Sequence, residues 1–274
     1  MESIDAAELA LSLPEVDPER PSPARIYDFW LGGSQNFEAD REAGRRAAEV
    51  MPSLPCGAKA NRLFLQHVVK DLVSTRGITQ FLDLGSGVPT VGNVHEIAQA
   101  TDPDATAVYI DIDPVAIAHA RALLAENATA HAALADLREP GVVLDHPLVR
   151  DAIDWSRPVA VLLFSVLHFV PDDIRPQDII RAFMAPCAPG SYLALSHGGP
   201  DDDAPEAQQA VVRDYASRTG VPVTPRTAAQ ITPWLAGLEI QAPGVEDIRV
   251  WLPSLTETHQ TIVPFVGALA RKPA

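Results

Sequence analysis

The 274-residue sequence has few cysteines and no long apolar segment, and each absence excludes a class of protein. Its first residues lack a basic stretch followed by an apolar one, so we expect no secretory signal. Cys56 and Cys187 are too few for a disulfide framework and lack metal-ligand spacing, so we expect no metal and a reducing cytoplasm. The longest apolar run, Val159–Val170, is too short to cross a bilayer, so we expect no membrane partner.

The sequence also has no basic run, and its formal net charge is −15. An acidic surface repels a phosphate backbone, so we expect no nucleic-acid partner. Hydrophobic residues make up 47% of the chain, which is enough for the core of one α/β domain with an appendage. The oligomeric state does not follow from the sequence.

The most informative segment is residues 81–90, FLDLGSGVPT, followed by VYIDIDP at residues 108–114. It predicts a buried strand, a glycine turn, a helix and a second strand that ends in an acid, which is half of a nucleotide-binding sheet. Gly85 and Gly87 allow a sharp bend and a close ligand approach. Asp111 is placed to accept both hydroxyls of a ribose.

Two cofactor classes use this arrangement. A dinucleotide turn has a third glycine where the helix receives the pyrophosphate, but this chain has Thr90 there. Asp83 precedes the first glycine, and an acid suits the ammonium of S-adenosylmethionine (SAM), which has no pyrophosphate. The pattern therefore favours SAM over NAD, although Asp83 could equally brace the turn.

Alternating strands and helices predict an α/β fold with a mostly parallel sheet. We divide the chain into a mobile tail (1–22), an N-terminal helical lid or cap (23–76) and a SAM-binding domain (77–274). The predicted strands are Gln80–Leu84, Ala107–Asp111, Ala130–Leu134, Val159–Phe164, Ser191–Ser196, Leu238–Ala242 and Pro264–Arg271.

Further candidate residues follow the strand ends, where ligands bind in such sheets. Asp136 is placed to accept from the adenine amine with Leu137 packed on the ring, or else it is a turn acid. Ser86 and Ile112 complete the predicted cofactor site, and Ser165 is expected to hydrogen-bond the cofactor.

His168 is the one candidate catalytic residue, either as a general base over the cleft or as a structural histidine in a loop. His197, at the end of the fifth predicted strand, has the same two interpretations.

The segment from Arg25 to Phe37, RIYDFWLGGSQNF, concentrates aromatic residues around a double glycine. It is interpreted as a lid that closes over the cofactor, with Tyr27 at the site, or as a helix pair that caps the core. Arg62, early in the next predicted helix, is either a partner of the cofactor carboxylate or a solvated surface residue.

These blocks, with NVHEIA at 93–98, VLHFVPD at 166–172 and ALARKP at 268–273, resemble an actinomycete family of SAM-dependent methyltransferases that was formerly a domain of unknown function. The resemblance extends from about Ala24 to the C-terminus. It implies a Rossmann-like class I methyltransferase fold of seven strands with an antiparallel last strand, and SAM bound at Gly85, Gly87, Asp111 and Asp136. The chain departs from the family at Ser34–Gln35 and at Val250–Pro253.

The leading hypothesis is therefore a SAM-dependent methyltransferase that acts on a small molecule. Positioning of the reactants supplies most of the acceleration in such a reaction, so a catalytic base is not strictly required. The alternatives are a non-catalytic SAM-binding sensor and, because of the glycine turn, an NAD-dependent oxidoreductase.

Overall fold

A computed structural model describes residues 16–90, 92–255 and 263–274 of the chain. Its centre is one twisted sheet, whose strands in chain order are β1 (Gln80–Leu84), β2 (Thr106–Asp111), β3 (Ala130–Leu134), β4 (Ala160–Phe164), β5 (Tyr192–Gly198), β6 (Glu239–Ile240), β7 (Glu246–Asp247) and β8 (Phe265–Arg271). The spatial order is β3-β2-β1-β4-β5-β8-β6, and β7 also pairs with β8.

Strands β1 to β5 are parallel, whereas β8 runs antiparallel to β5. The antiparallel last strand is therefore confirmed. The predicted count of seven strands is wrong, because the described residues contain eight. The single strand expected at 238–242 is replaced by two short strands, β6 and β7, which pair with opposite ends of β8 around the turn at Pro243–Gly244.

The described residues contain eleven α-helices: α1 (Pro23–Leu31), α2 (Glu38–Val50), α3 (Leu54–Ser74), α4 (Val94–Gln99), α5 (Pro114–Leu123), α6 (Pro140–Leu144), α7 (Pro147–Ala152), α8 (Pro176–Met184), α9 (Pro205–Thr219), α10 (Ala228–Ile231) and α11 (Ile248–Trp251). Helix α5 begins after Asp113, whose carboxylate accepts from the amides of Val115 and Ala116. None of the described helices is long and apolar enough to cross a membrane.

The core lies on both faces of the sheet because alternate strand residues point in opposite directions. Phe81 and Leu162 belong to the apolar cluster that includes α3, while Leu82 and Leu163 belong to the cluster that includes α8. Every residue of β1 and β4 is buried. The near-continuous apolar sequence of these strands follows from cover on both faces.

The N-terminal helices are attached to the sheet by buried ion pairs. The Arg25 guanidinium donates to Asp40 (2.8 Å) and to Asp113 (3.1 Å), and all three side chains are almost fully buried. The Ser22 hydroxyl also donates to Asp113. Since Asp113 begins the helix after β2, this network fixes the helical layer above the end of that strand.

The double glycine has a structural explanation. Gly32 ends α1 with φ 86°, a left-handed conformation that glycine adopts without strain. A Cβ on Gly33 would lie 1.9 Å from Asp28 Oδ1. Asp28 is buried and accepts from the amide of Gln35 (2.9 Å) and from Asn36 Nδ2 (2.7 Å). The glycine therefore makes room for the carboxylate that organises the turn between α1 and α2.

The predicted boundaries between tail, cap and sheet domain stay predictions. Residues 1–15 of the tail lie outside the described residues. Within the rest of the tail, the Arg20 guanidinium donates to Thr219 O (3.2 Å) at the end of α9, and the amide of Ser22 donates to Asp40.

Candidate active site

A cavity of about 330 Å³ lies above the carboxyl ends of β1, β2 and β4, and α1, α3 and α9 form its walls. This is the position at which parallel sheets bind ligands. Apart from His197, the structure brings the candidate residues from the sequence to the lining of this one cavity: Tyr27, Arg62, Asp83, Gly85, Ser86, Gly87, Asp111, Ile112, Asp136, Leu137, Ser165 and His168.

The glycine turn follows β1 directly. Gly85 and Gly87 have φ of 71° and 66°, and the amides of Gly85 and Ser86 both donate to Ile110 O on the neighbouring strand. A Cβ on Gly85 would lie 2.3 Å from Val166, whereas one on Gly87 would meet no atom within 4 Å. Gly85 is therefore required by packing, and Gly87 by its backbone conformation.

Asp111 is held in one orientation by two backbone amides. Gly87 N donates to Oδ2 (2.7 Å) and Asp113 N donates to Oδ1 (2.8 Å). Burial raises the pKa of this carboxyl to about 6. Each carboxylate oxygen has a second lone pair, so a fixed acceptor for two adjacent hydroxyls remains.

Asp83 is buried beside Asp111, and three buried polar atoms of residues that line the same cavity have no hydrogen-bond partner among the described residues. Burial raises the pKa of Asp83 to about 7; the positive charge of Arg62 opposes this rise and the charge of Asp111 adds to it. The buried partnerless atoms are Arg62 Nε, Ser86 Oγ and Asn61 Oδ1. Buried polar groups are rarely left unpaired, so this corner has the donors and acceptors of a polar ligand site.

Helix α3 positions two of these groups. Arg62 Nη2 donates to Asn93 Oδ1 (2.9 Å), and Asn93 also caps α4. Asn61 Nδ2 donates to the hydroxyl of Tyr27 (2.9 Å), which itself donates to Ala58 O (2.8 Å). Arg62 is thus not a solvated surface residue, and Tyr27 supports Asn61.

The adenine-side candidates lie after β3. The Asp136 carboxylate accepts from Arg138 Nε at 2.8 and 2.9 Å, and from the amide of Arg138. Leu137 is buried at the cavity wall, whereas Ile112 is 59% exposed. Arg138 Nη2 also donates to Asp136 Oδ2 (2.5 Å), so a ligand that bonds to Asp136 must replace one of the contacts with Arg138.

Ser165 follows β4 in a conformation that is unusual for a serine, with φ 54°. Its amide donates to Ser196 Oγ (2.9 Å) and to Ser196 O (3.1 Å), and its side chain lines the cavity. Left-handed residues other than glycine cost energy and concentrate at functional sites.

His168 is buried, and its ring lies against Phe169 and edge-on to His197. Gly198 N donates to Nδ1 (3.4 Å), so the neutral ring carries its proton on Nε2. Burial, with the charges of His197 and Arg226, holds the pKa of His168 well below its usual value. His168 is therefore a neutral side chain at physiological pH.

His197 does not line the cavity. It is fully buried, and its Nε2 lies 3.1 Å from Arg226 Nη1. Arg226 also donates to Asp172, Leu167 O and Val170 O, and therefore fixes the loop that carries His168. Of the two interpretations of His197, the structural one agrees with this geometry.

Several lining residues were not among the candidates from the sequence, including Asn61, Asp113, Gln208 and Tyr215. A polar residue on the apolar face of α3 was a usable signal for Asn61. Tyr215 lies on α9, more than 100 residues after the glycine turn, and no local pattern connects the two.

The fold and this site define the class of protein. Strand order 3-2-1-4-5 with an antiparallel partner for β5, a glycine turn after β1 and an acid after β2 characterise the class I SAM-dependent methyltransferase. Residues 10–273 match a family described as S-adenosyl methyltransferase, and the chain belongs to this family.

Solved structures agree with this assignment. A protein of the DUF574 family from Streptomyces avermitilis is 37% identical over 94% of this chain and 99% of its own, with a TM-score of 0.88. A proposed methyltransferase from Thermobifida fusca is 38% identical over 95% and 98%, with a TM-score of 0.87. The plantazolicin methyltransferase BpumL, solved with S-adenosylhomocysteine, shares only the fold, at 12% identity over 92% and 96% and a TM-score of 0.53. No curated protein matches the chain.

The resemblance seen in the sequence is therefore confirmed. The protein is a SAM-dependent methyltransferase, and its cofactor is SAM. Neither a sensor without activity nor an NAD-dependent oxidoreductase agrees with this family.

Proposed function

We propose that the cavity binds SAM at the ends of β1, β2 and β3 and places its methyl group before a small-molecule acceptor. The supporting observation is the set of buried partnerless atoms around Asp83, namely Arg62 Nε, Ser86 Oγ and Asn61 Oδ1. They fit the amino-acid end of SAM, because that end has an ammonium and a carboxylate. Arg62 would donate to the carboxylate, and Asp83 with Asn61 would accept from the ammonium.

The remaining candidates fit the rest of the cofactor. Asp111, fixed by two amides, accepts from the ribose hydroxyls, and Gly87 lets the backbone approach. Leu137 packs against the adenine, with Asp136 accepting from its amine and Ile112 at the outer rim. Ser165 directs its hydroxyl toward the cofactor from the end of β4.

When bound, SAM would supply an electrophilic methyl group: an acceptor lone pair attacks the methyl carbon in line, the C–S bond breaks, and its electron pair leaves with the sulfur of the thioether. The residues of the chain bind and orient the two reactants, and the cap helices exclude water. His168 lies on the acceptor side. Its neutral ring either takes a proton from the acceptor, as the sequence suggests, or holds the acceptor by a hydrogen bond from Nε2.

The proposal also includes a small molecule as the methyl acceptor and the cytoplasm as the location of the protein. Helices α1, α3 and α9 line a cavity of small-molecule size, and a formal charge of −15 disfavours nucleic acid. Both cysteines are free thiols, which fits a reducing compartment.

Calorimetric titration with SAM and S-adenosylhomocysteine tests the cofactor site. We expect Arg62→Gln to weaken binding of both compounds about 10- to 100-fold, because a charge-assisted hydrogen bond contributes about 1.5–3 kcal/mol. Arg150→Gln, on the surface of α7, is the matched control and should leave binding unchanged. Equal affinities for the two variants would remove Arg62 from the site.

A further inference from the structure

The lining of the cavity changes from charged to uncharged along the edge of the sheet. The strand order places the ends of β3, β2 and β1 in one half of the cavity and those of β4, β5 and β8 in the other. The charged lining residues of the first half are Asp83, Asp111, Asp113, Asp136 and Arg138. Arg62 also lines the cavity, and it belongs to the same half because it donates to Asn93, which follows β1. Among the described residues, the second half is lined by no Asp, Glu, Lys or Arg.

We call this second half the acceptor chamber and define it by Trp30, Phe169, Val211, Tyr215, Val223 and Phe265. These side chains come from α1, from the turn after β4, from α9 and the loop after it, and from β8. Phe169 and Tyr215 are nearly parallel, with interplanar angle 15° and ring centroids 6.1 Å apart. The described walls of the chamber are therefore largely aliphatic and aromatic.

The polar groups of the chamber offer no countercharge. Gln208 is satisfied by the protein, since Nε2 donates to Gly199 O (2.9 Å) and Oε1 accepts from Asp201 N (3.0 Å). The Tyr215 hydroxyl has no hydrogen bond to any described residue, and burial raises its pKa. His168 is neutral, and its Nε2 likewise has no hydrogen bond within the described part of the chain.

An ionised group that enters such a chamber loses its hydration and gains no opposite charge, which is strongly unfavourable. An apolar molecule gains from burial, and a hydroxyl or carbonyl on it can pair with His168 or Tyr215. We propose that the methyl acceptor is an uncharged, largely apolar small molecule with one or two hydrogen-bonding groups. This inference rests on the proposed function, because the chamber takes the acceptor only if the charged half holds SAM.

Two fluorescent probes that share an anilinonaphthalene skeleton and differ in charge test the inference. N-phenyl-1-naphthylamine is neutral, whereas 8-anilinonaphthalene-1-sulfonate carries a sulfonate. With S-adenosylhomocysteine at saturation, we expect the neutral probe to bind at least tenfold more tightly. Equal or tighter binding of the anionic probe, or no binding of the neutral one, would overturn the proposal.

Two variants show whether the probe occupies the chamber. Val212→Asp adds a carboxylate to the half-buried cavity face of α9 and should weaken the neutral probe at least tenfold. Val142→Asp makes the same change at a 55% exposed position on α6, and should have no effect. The same affinity for both variants would contradict the assignment of the chamber.

Calorimetry with S-adenosylhomocysteine on each variant separates this inference from the proposed function. If the unmodified protein does not bind S-adenosylhomocysteine, the cofactor site itself is contradicted. Retained binding without discrimination between the probes would contradict only the proposed class of acceptor.

Discussion

The interior of the sheet and the rim above it are held together by different forces. In the interior, Leu82, Leu162 and Leu163 are fully buried among other apolar side chains. The rim, which we define as the strand ends with the N-terminal helices, instead buries charges, such as Arg25 between Asp40 and Asp113. Apolar burial is non-directional and tolerant, whereas a buried ion pair depends on each partner.

This difference explains why the binding site lies where it does. Asp83 and Asp111 are both buried, and burial raises the pKa of each carboxyl. Such groups do not stabilise the fold by themselves, but in the proposed function they bind the charged and hydroxylated parts of the cofactor. Burial of the apolar interior offsets the unfavourable free energy of burying charged groups at the rim, and these groups line the cavity.

Among the changes that distinguish the two regions, we expect Arg25→Ala to lower the free energy of unfolding most. The change leaves Asp40 and Asp113 without their buried cation, and breaking a buried pair costs about 3–5 kcal/mol. Chemical denaturation should show this loss. Arg25→Lys, which keeps the charge but loses the forked contacts, should fall between the variant and the unmodified protein.

Arg45→Ala is the control for this experiment. Arg45 pairs with Glu38 on the surface of α2, with both side chains more than half exposed. We expect its midpoint of denaturation to match the unmodified protein. If the two arginine variants lost equal stability, the rim would not depend on buried charge in the way described.

The sequence predicted the interior better than the rim. The bounds of β1 and β3 are as predicted, because short apolar runs between turn residues identify buried strands. Gly85, Ser86 and Asp136 could be placed at the cavity from the sequence because each follows a strand end in the chain. The contact between Arg25 and Asp113 joins residues 88 apart, and the chamber is assembled from segments spread over most of the chain. No local periodicity encodes such juxtapositions.

The next effect in size is the pH dependence of cofactor binding. The carboxyl of Asp83, whose pKa of about 7 is set by burial, Arg62 and Asp111, must be ionised to accept from an ammonium. Lowering the pH protonates it in the free protein, so the affinity for S-adenosylhomocysteine should fall as pH falls. Between pH 7 and pH 6 we expect about a fivefold loss in calorimetry, equal to about 1 kcal/mol.

Asp83→Asn separates this effect from other titrations. The variant should bind more weakly at pH 7, and its affinity should change less between pH 7 and pH 6. It should also be more stable without ligand above pH 7, because an acid whose folded pKa is raised loses stability as pH rises. An unchanged pH profile in Asp83→Asn would show that Asp83 is not the titrating group.

The smallest effect concerns strain at the end of β4. Ser165 has φ 54°, a conformation that costs a residue with a Cβ about 1–2 kcal/mol, and its amide bonds to Ser196 do not need the side chain. Ser165→Gly should therefore raise stability by about 0.5–1 kcal/mol, after the greater chain entropy of glycine is subtracted. Thermal denaturation should show a gain of roughly 2 °C, and Ser165→Ala, which keeps the Cβ, should show none. If the hydroxyl also contacts the cofactor, both variants should bind S-adenosylhomocysteine equally less well. If the glycine variant is less stable than the alanine variant, the backbone of Ser165 is not strained. The unfavourable free energy of the rim then comes from its buried charges alone.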